Sequence, residues 1–467
     1  MLTFFPKVVA NKAIVTYFVS LAAVSIFYSR YAMDFKFMLI GSIFVCTFFL
    51  ATSKLSIGWK DYHPKRFIKN IFWTAFVLRA VWVIFTYYLY MKETGIPFEW
   101  SAADSAGYHG EAEEFARYGW KAAWDYFFVN RSSYSDSGYP FYLFLLYTLI
   151  GPKIVVTRLC KALISSYTCV LVYKLSKRNF GESTARMAGL FCVFMPNLIY
   201  YCGLHLKETE MVFLIVAFLE RADYLLRVRK FNFWNIIIPT LLALSLFLFR
   251  TVLGAVAFMS FFAGLLFSST KVVSRAKKVV LIIFSILFVA VMAGGTIITE
   301  VEEIWNTRSE NQELKRLQQT VRGNQWAKYA TGGVMAPMMF VVPFATMVDV
   351  QEQYSQQLVH GGNFVKNTMG IFVVFALIYL LFINKRWRDH ALLGAFVIGY
   401  LGVIAFSGYA NAERFHMPTL PLLLMFAAYG VSQLNKKNIK FVNYWFYVVF
   451  LMEFAWAYFK LGSRGIL

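Results

Sequence analysis

Long apolar runs, each close to the length of a membrane-crossing helix, recur along the whole 467-residue chain, separated by short polar stretches. A hydrocarbon layer roughly 30 Å thick takes about 20 residues of helix to cross, and a helix satisfies its own backbone there. By length and apolarity the runs fall near 13–31, 36–53, 68–91, 155–176, 183–201, 206–227, 232–250, 251–269, 278–298, 365–384, 389–407, 417–434 and 441–460. The pattern predicts an all-α fold, a polytopic membrane protein with about 13 transmembrane helices. Lys7 and Lys12 precede the first run without a clear small-residue cleavage site, so that run is expected to stay as a helix.

Composition agrees with lipid as the solvent. The chain is 59% hydrophobic and 15% charged, against about 45–50% and about 25% in soluble domains. Its net charge of +21 would suit nucleic acid were it not for where the cations sit. Lys54, Lys60, Lys65, Arg66 and Lys69 precede the third run; Lys174, Lys177 and Arg178 follow the fourth; Arg227, Arg229 and Lys230 follow the sixth. Lys271, Arg275, Lys277 and Lys278 follow the eighth, Lys385, Arg386 and Arg388 the tenth, and Lys436, Lys437 and Lys440 the twelfth. With this count all six clusters share one side, which the positive-inside rule makes the cytoplasm. Membrane lipids with anionic headgroups, and not nucleic acid, are then their partners. Cys46, Cys160, Cys169, Cys192 and Cys202 lack metal-ligand or disulfide spacing.

Two long segments then fall on the external side. Residues 92–139 carry eight acids against four bases and lead into an apolar piece, Tyr139 to Gly151, too short to cross. Amphipathic surface helices are expected over this loop, 92–154. The second external loop, 299–364, contains an apolar stretch from Ala330 to Val348 with Gly332, Gly333, Pro337 and Pro343. Were it a span, the cluster at Lys385 would change sides; it is therefore expected to be re-entrant or interfacial, which requires burial by protein or a cavity to line.

The first loop holds the candidate chemistry. Residues 101–119 read SAADSAGYHGEAEEFARYG. Ser101 with Asp104 fits a capping-box start, after which Tyr108, Ala112 and Phe115 recur at helical spacing. Asp104 is then placed in a first turn at the membrane surface, where a carboxylate acts as general base on an acceptor hydroxyl or amine. An acid there also simply favours a helix N-terminus.

From residue 68 onward the chain resembles the GT-C superfamily of membrane glycosyltransferases, in particular bacterial relatives of protein O-mannosyltransferase and aminoarabinose transferase. The resemblance rests on VLRAVWVIF around Arg79, on Asp104, Tyr108 and Ala112 as D-x-x-x-Y-x-x-x-A, and on Gly138-Tyr139-Pro140 leading into FYLFLLYTLIG. Thr157-Arg158-Leu159, LVYKLSKRNFG, the acid Glu208 in HLKETE and Arg414 in AERFHMPTLP extend it in the family's order. It divides the chain into two extra N-terminal helices (1–60), a core with the first loop (61–298), the second loop (299–364) and the C-terminal helices (365–467). Ser105 stands where many relatives place a second acid next to the first, leaving Glu111 and Glu208 as candidates for that role.

What the resemblance implies is an inverting sugar transfer on the external face of the cytoplasmic membrane, with Asp104 as base. The donor would be a polyprenyl-phosphate or polyprenyl-diphosphate sugar, and the acceptor a lipid-linked glycan, a lipid or a protein. Cations are needed at the donor phosphate: Lys207, Arg250, Arg414 and Arg158 are the candidates near the external side. Tyr108, His109, Tyr139, His205 and His416 are candidates to line the substrate. No metal-ligand spacing is present; a divalent cation (Mg or Mn) is an option only through the resemblance. Two other readings compete: a polysaccharide polymerase or O-antigen ligase of the Wzy type using a diphosphate-linked glycan through the second loop, and a non-enzymatic lipid or glycan transporter, which would show internal repeats with broken helices.

Overall fold

Apart from the stretch that ends at Val348, the apolar runs fold as helix where they fall within the described residues, and no strand is present among those residues. The computed structural model describes residues 2–129, 136–228, 232–275, 277–283, 285, 338–350, 353–406 and 410–462. In chain order the helices are α1 (Lys7–Phe27), α2 (Phe35–Gly58) and α3 (Pro64–Thr94), then α4 (Ala103–Tyr118) and α5 (Gly138–Ile150) in the first loop. After these come α6 (Ile154–Phe180), α7 (Glu182–Phe194), α8 (Glu208–Arg227), α9 (Phe233–Phe249) and α10 (Thr251–Phe267). The C-terminal part adds α11 (Tyr354–Ile383), α12 (Trp387–Ala405), α13 (Glu413–Ser432) and α14 (Ile439–Gly462).

Seven of them, α1, α2, α3, α6, α11, α12 and α13, are long and apolar enough to cross a membrane, and α7 with its continuation Pro196–Gly203 makes an eighth if the bent pair is one span. This is fewer than the thirteen expected from apolar runs. The runs at 206–227, 232–250, 251–269 and 441–460 are all helical, but α9 and α10 are only 17 residues each, and α8 and α14 carry ionisable side chains along their length. The run at 278–298 lies mostly outside the described residues, as does 330–337 of the second loop.

The bend in the eighth has a local cause. Pro196 has no N–H to continue α7, and the axis turns by 50° there. The break strands carbonyls at the end of α7 inside the protein. Arg79 of α3, fully buried, donates to the carbonyls of Cys192 (3.0 Å) and Val193 (3.1 Å) and, through Nε, to Ser165 Oγ (2.8 Å). The Arg in the VLRAVWVIF run is thus a backbone clamp.

Helix crossings are close where glycine permits. A Cβ on Gly361 of α11 would sit 2.7 Å from the Gly41 carbonyl oxygen of α2, and one on Gly430 of α13 would land on the Phe372 carbonyl of α11. Small residues at such crossings let backbones approach and gain packing that lipid cannot match.

Hydrogen bonds join the turns that carry the basic clusters at one end of the bundle. Arg186 donates to the carbonyls of Trp59 (2.7 Å) and Tyr62 (2.6 Å) in the α2–α3 turn. Arg178 pairs with Asp223 (2.8 Å) and Glu220 (3.0 Å), and Arg227 reaches Asn179 and the Asp389 carbonyl, both at 2.9 Å. Asp389 also accepts from Ser269 at 2.6 Å, and Asn384 donates to Tyr429 at 3.0 Å. The clustering inferred from loop charge is therefore also a clustering in space.

Residues 338–350 are irregular and mostly buried. Their carbonyls are taken by α11: Asn367 donates to Val341 (2.7 Å) and Pro343 (3.1 Å), and Lys366 donates to Val342. This non-helical backbone is thus held by protein side chains.

Candidate functional site

At the end opposite the basic turns, five separate stretches of chain bring charged side chains together. α3 stops at Gly95, whose φ of 75° reverses the chain. Ser101 then takes a left-handed φ of 57°, and Ala102 caps α4 without a side-chain hydrogen bond. The expected capping box does not form, because Ser101 lies outside the helix; Asp104 nevertheless occupies the first turn. Ser105, in place of a second acid, donates to Glu99 at 2.5 Å and ties the start of α4 to the preceding loop.

Asp104 Oδ2 accepts from Arg414 Nη1 at 2.5 Å, across half-exposed surface. One turn on, Tyr108 is packed edge-on to Tyr139 of α5, ring centres 5.2 Å apart. Lys207, just before α8 and 3% exposed, is the hub. Its ammonium contacts the Asp136 carboxylate, donates to the Phe249 carbonyl at the end of α9 (3.3 Å) and lies 5.9 Å from the Tyr108 ring centre. The next residue, Arg250, is extended between α9 and α10 (φ −165°, ψ 109°), which breaks the helix and frees the guanidinium. It lies 4.6 Å from the ring centre of Phe415, whose ring Arg414 also approaches at 5.1 Å. Gly138 lets α5 reach this end of α9, since a Cβ there would be 2.7 Å from the Phe249 ring.

Charge ties these groups together. Burial pushes the Tyr108 hydroxyl up to about 12, helped by Glu208 and Asp104 and opposed by Arg414 and Arg250. Burial, and after it Arg250, draws the Lys207 ammonium down to about 7, while Glu208 and Asp104 pull the other way. Three cations (Lys207, Arg250, Arg414) face three carboxylates (Asp104, Asp136, Glu208). Arg250 Nη1 and Glu208 Oε2 are buried without a hydrogen-bond partner among the described residues. A guanidinium nitrogen so placed can donate a charge-assisted hydrogen bond to an anionic oxygen.

A second layer lies behind. His109 Nδ1 is 2.7 Å from Tyr147 Oη, which is 3.0 Å from His205 Nε2. Burial lowers His109, and burial with Arg158 and Lys161 holds His205 well below the usual histidine range. Both rings are neutral hydrogen-bonding spacers at neutral pH. Arg158, also fully buried, donates to the Pro97 carbonyl at 2.7 Å and so fixes the loop before α4. Lys161 donates to the carbonyls of Leu204 (2.8 Å) and Leu206, with Glu210 3.7 Å away, and so fixes the loop that presents Lys207.

Of the residues singled out from the sequence, Asp104, Tyr108, Lys207, Glu208, Arg250 and Arg414 converge, with Tyr139 against Tyr108. Glu111 lies two turns beyond Asp104 on the same face of α4, half-buried. Arg158, His109 and His205 stand in the second layer. His416 belongs elsewhere: its Nδ1 is 3.1 Å from Lys366 Nζ and its Nε2 donates to the Ala410 carbonyl at 2.7 Å. Beside it Glu413 accepts from Asn197 at 2.5 Å, and Asn197 donates to Asn363 at 3.0 Å, so a buried polar network holds the backbone that carries Arg414. Sequence reading missed Asp136, Phe415, Lys161 and Lys366. The two lysines were detectable as cations inside apolar runs, Lys161 beside Arg158 and Lys366 by itself; Asp136 and Phe415 had no such mark.

Among the described residues no group of three or more His, Cys, Asp or Glu side chains is placed to hold a metal ion. Asp104 and Asp136 are already engaged with cations. In comparison with known proteins, the chain matches no protein-family model and no curated sequence.

Proposed function

We propose that the chain is an integral membrane glycosyltransferase that moves a sugar from a polyprenyl-phosphate or polyprenyl-diphosphate donor onto an acceptor on the external face. The observation that carries this reading is the convergence on Asp104 and Tyr108 of Lys207, Arg250 and Arg414, which come from three distant stretches of chain. Orientation follows from the basic turns, which the positive-inside rule assigns to the cytoplasm. The site then opens outward, where a lipid-anchored donor is reachable between helices and a nucleotide sugar is not expected.

In this reading the donor phosphate takes Arg414 from Asp104 and accepts from Arg250, with Lys207 as a third cation. Asp104, released, accepts the proton of the acceptor hydroxyl as its oxygen bonds to the anomeric carbon. The bond from that carbon to the phosphate oxygen breaks, and its electron pair stays on the phosphate among the three cations. Attack opposite the leaving phosphate inverts the centre. The Tyr108 hydroxyl, held protonated, donates to a sugar or phosphate oxygen.

Three cations also suit a diphosphate, the donor of the polymerase or ligase reading. Purified protein offered a panel of polyprenyl-phosphate and polyprenyl-diphosphate sugars separates the two: single-sugar transfer from a monophosphate supports the first, and elongation from diphosphate-linked oligosaccharides alone supports the second. No transfer from any donor, with lipid translocation in vesicles instead, overturns both.

A further inference from the structure

The crevice between α1 and α14 shares no residue with the candidate site. It holds about 500 Å³ and is lined on both sides by side chains that repeat at helical spacing. Ligand-sized pockets span about 300–1,000 Å³. On α1 the lining residues are Asn11, Lys12, Val15, Thr16 and Val19, and on α14 they are Asn443, Phe446, Tyr447 and Phe450. All the nitrogen-bearing groups lie at the end where both helices begin; the deeper lining is mostly apolar, with the Thr16 hydroxyl turned onto the Lys12 carbonyl at 2.9 Å. From Lys12 to Val19 the helix rises about 10 Å.

Both helices start at the basic end. The Leu2 amide donates to the Ser432 carbonyl at 3.0 Å, which sets the beginning of α1 beside the α13–α14 turn. Lys12 Nζ donates to Asn443 Oδ1 at 2.8 Å and so bridges the mouth of the crevice. An ammonium has three donors, and the pair with Asn443 uses one. Lys7, Lys436, Lys437 and Lys440 are exposed around the same end, with Asn11 and Lys12. No acidic side chain lines the crevice.

A cation at the polar rim above an apolar slot is the complement of a phosphodiester attached to an acyl chain. A neutral apolar occupant would leave Lys12 without a counter-charge, and a free phosphate would leave the apolar part of the slot unfilled. We propose that this crevice is a binding site for one anionic phospholipid of the basic-side leaflet: its phosphate takes the remaining Lys12 protons beside Asn443, and its acyl chain lies along Val15, Val19, Phe446 and Phe450. The lipid couples α1 to α14, between which no ion pair is present among the described residues. It is independent of any chemistry at Asp104.

Native mass spectrometry of the purified protein, titrated with phosphatidylglycerol or with phosphatidylcholine, tests the proposal. The wild type should retain one phosphatidylglycerol in preference to phosphatidylcholine. Lys12→Gln, an exposed change, should need about tenfold more phosphatidylglycerol for the same occupancy, the scale of one charge-assisted hydrogen bond. Val15→Trp fills the slot with the charges intact and should lose the lipid too, whereas Lys436→Gln with Lys437→Gln should not. Equal retention of the two lipids, unchanged retention in Lys12→Gln, or equal losses in Lys12→Gln and the Lys436/Lys437 variant would overturn the proposal, the last by showing diffuse attraction instead of a site.

Discussion

Asp104 and Arg414 are 310 residues apart in the chain and 2.5 Å apart in the fold. The bond joins the first turn of α4 to the start of α13 and, among the described residues, directly links the carboxylate proposed as base to one of the cations proposed to hold phosphate. In the absence of donor the two groups satisfy each other. A phosphate that competes for the guanidinium would free the carboxylate at the moment an acceptor needs it, so donor binding and base availability are coupled.

That coupling makes Arg414 unequal to a generic positive charge. Arg414→Lys keeps the charge but loses the planar fork that can span Asp104 and a phosphate oxygen. The expected result is a transfer rate lowered by about tenfold or more in Arg414→Lys and further in Arg414→Ala, with raised donor KM in both. Equal activity in wild type and Arg414→Lys would mean the fork is not used.

Lys207 should give the site an alkaline limit. Its folded value is depressed to about 7, so the free protein presents an ammonium below that pH and a neutral amine above it. kcat/KM for a phosphate-bearing donor is therefore expected to fall as pH rises through about 7, since this ratio reports groups of the free protein. Lys207→Arg stays charged and should move the fall to higher pH; an unmoved profile would exclude Lys207 as its source.

Tyr108 is held in its protonated form far above neutral pH, so its contribution is as a hydrogen-bond donor. Tyr108→Phe keeps the ring contact with Tyr139 and removes the donor. Loss of roughly fivefold in kcat/KM is expected, the scale of a hydrogen bond of ~1 kcal/mol. Steady-state kinetics with a single donor measures it, and pH should not alter the ratio to wild type.

The second layer should be felt in stability. His205 is neutral when folded, with its affinity for a proton held well below that of an exposed histidine. The unfolded chain therefore binds more protons as pH falls, so the stability associated with His205 is present above about 6.5 and is lost progressively below it. Tm in detergent should drop between about pH 7.5 and 5.5 in the wild type, and less so in His205→Gln. For Arg79 the expectation is pH-independent: Arg79→Leu leaves the Cys192 and Val193 carbonyls buried and unpaired, and a lowered Tm at every pH should follow.

How much of this was legible beforehand differs by element. Helical class, the position of most helices and the grouping of basic turns followed from runs of apolar residues broken by Lys and Arg, because length and charge are read directly from sequence. The number of crossings was not legible: apolarity marks α9 and α10 equally well, though each is only 17 residues, and packing against α8 is not visible in composition. Asp104 and Arg414 were each detectable as ionisable groups beside apolar runs, and their pairing follows only once α4 is laid against α13. Asp136 and Phe415 enter through contacts alone. His416 looked equivalent to His109 and His205 in sequence, yet one turn of α13 directs it to Lys366 on the far side of the Arg414 backbone.

The most direct measurement of the central claim is sugar transfer by wild type and Asp104→Asn, with donor binding determined on the same preparations. The substitution keeps the shape and a hydrogen-bond acceptor for Arg414 but removes the proton acceptor. Transfer reduced by a factor of at least about 100, with donor affinity retained, is the expected result. Transfer at the wild-type rate would contradict Asp104 as the base and with it the mechanism built around its pairing with Arg414.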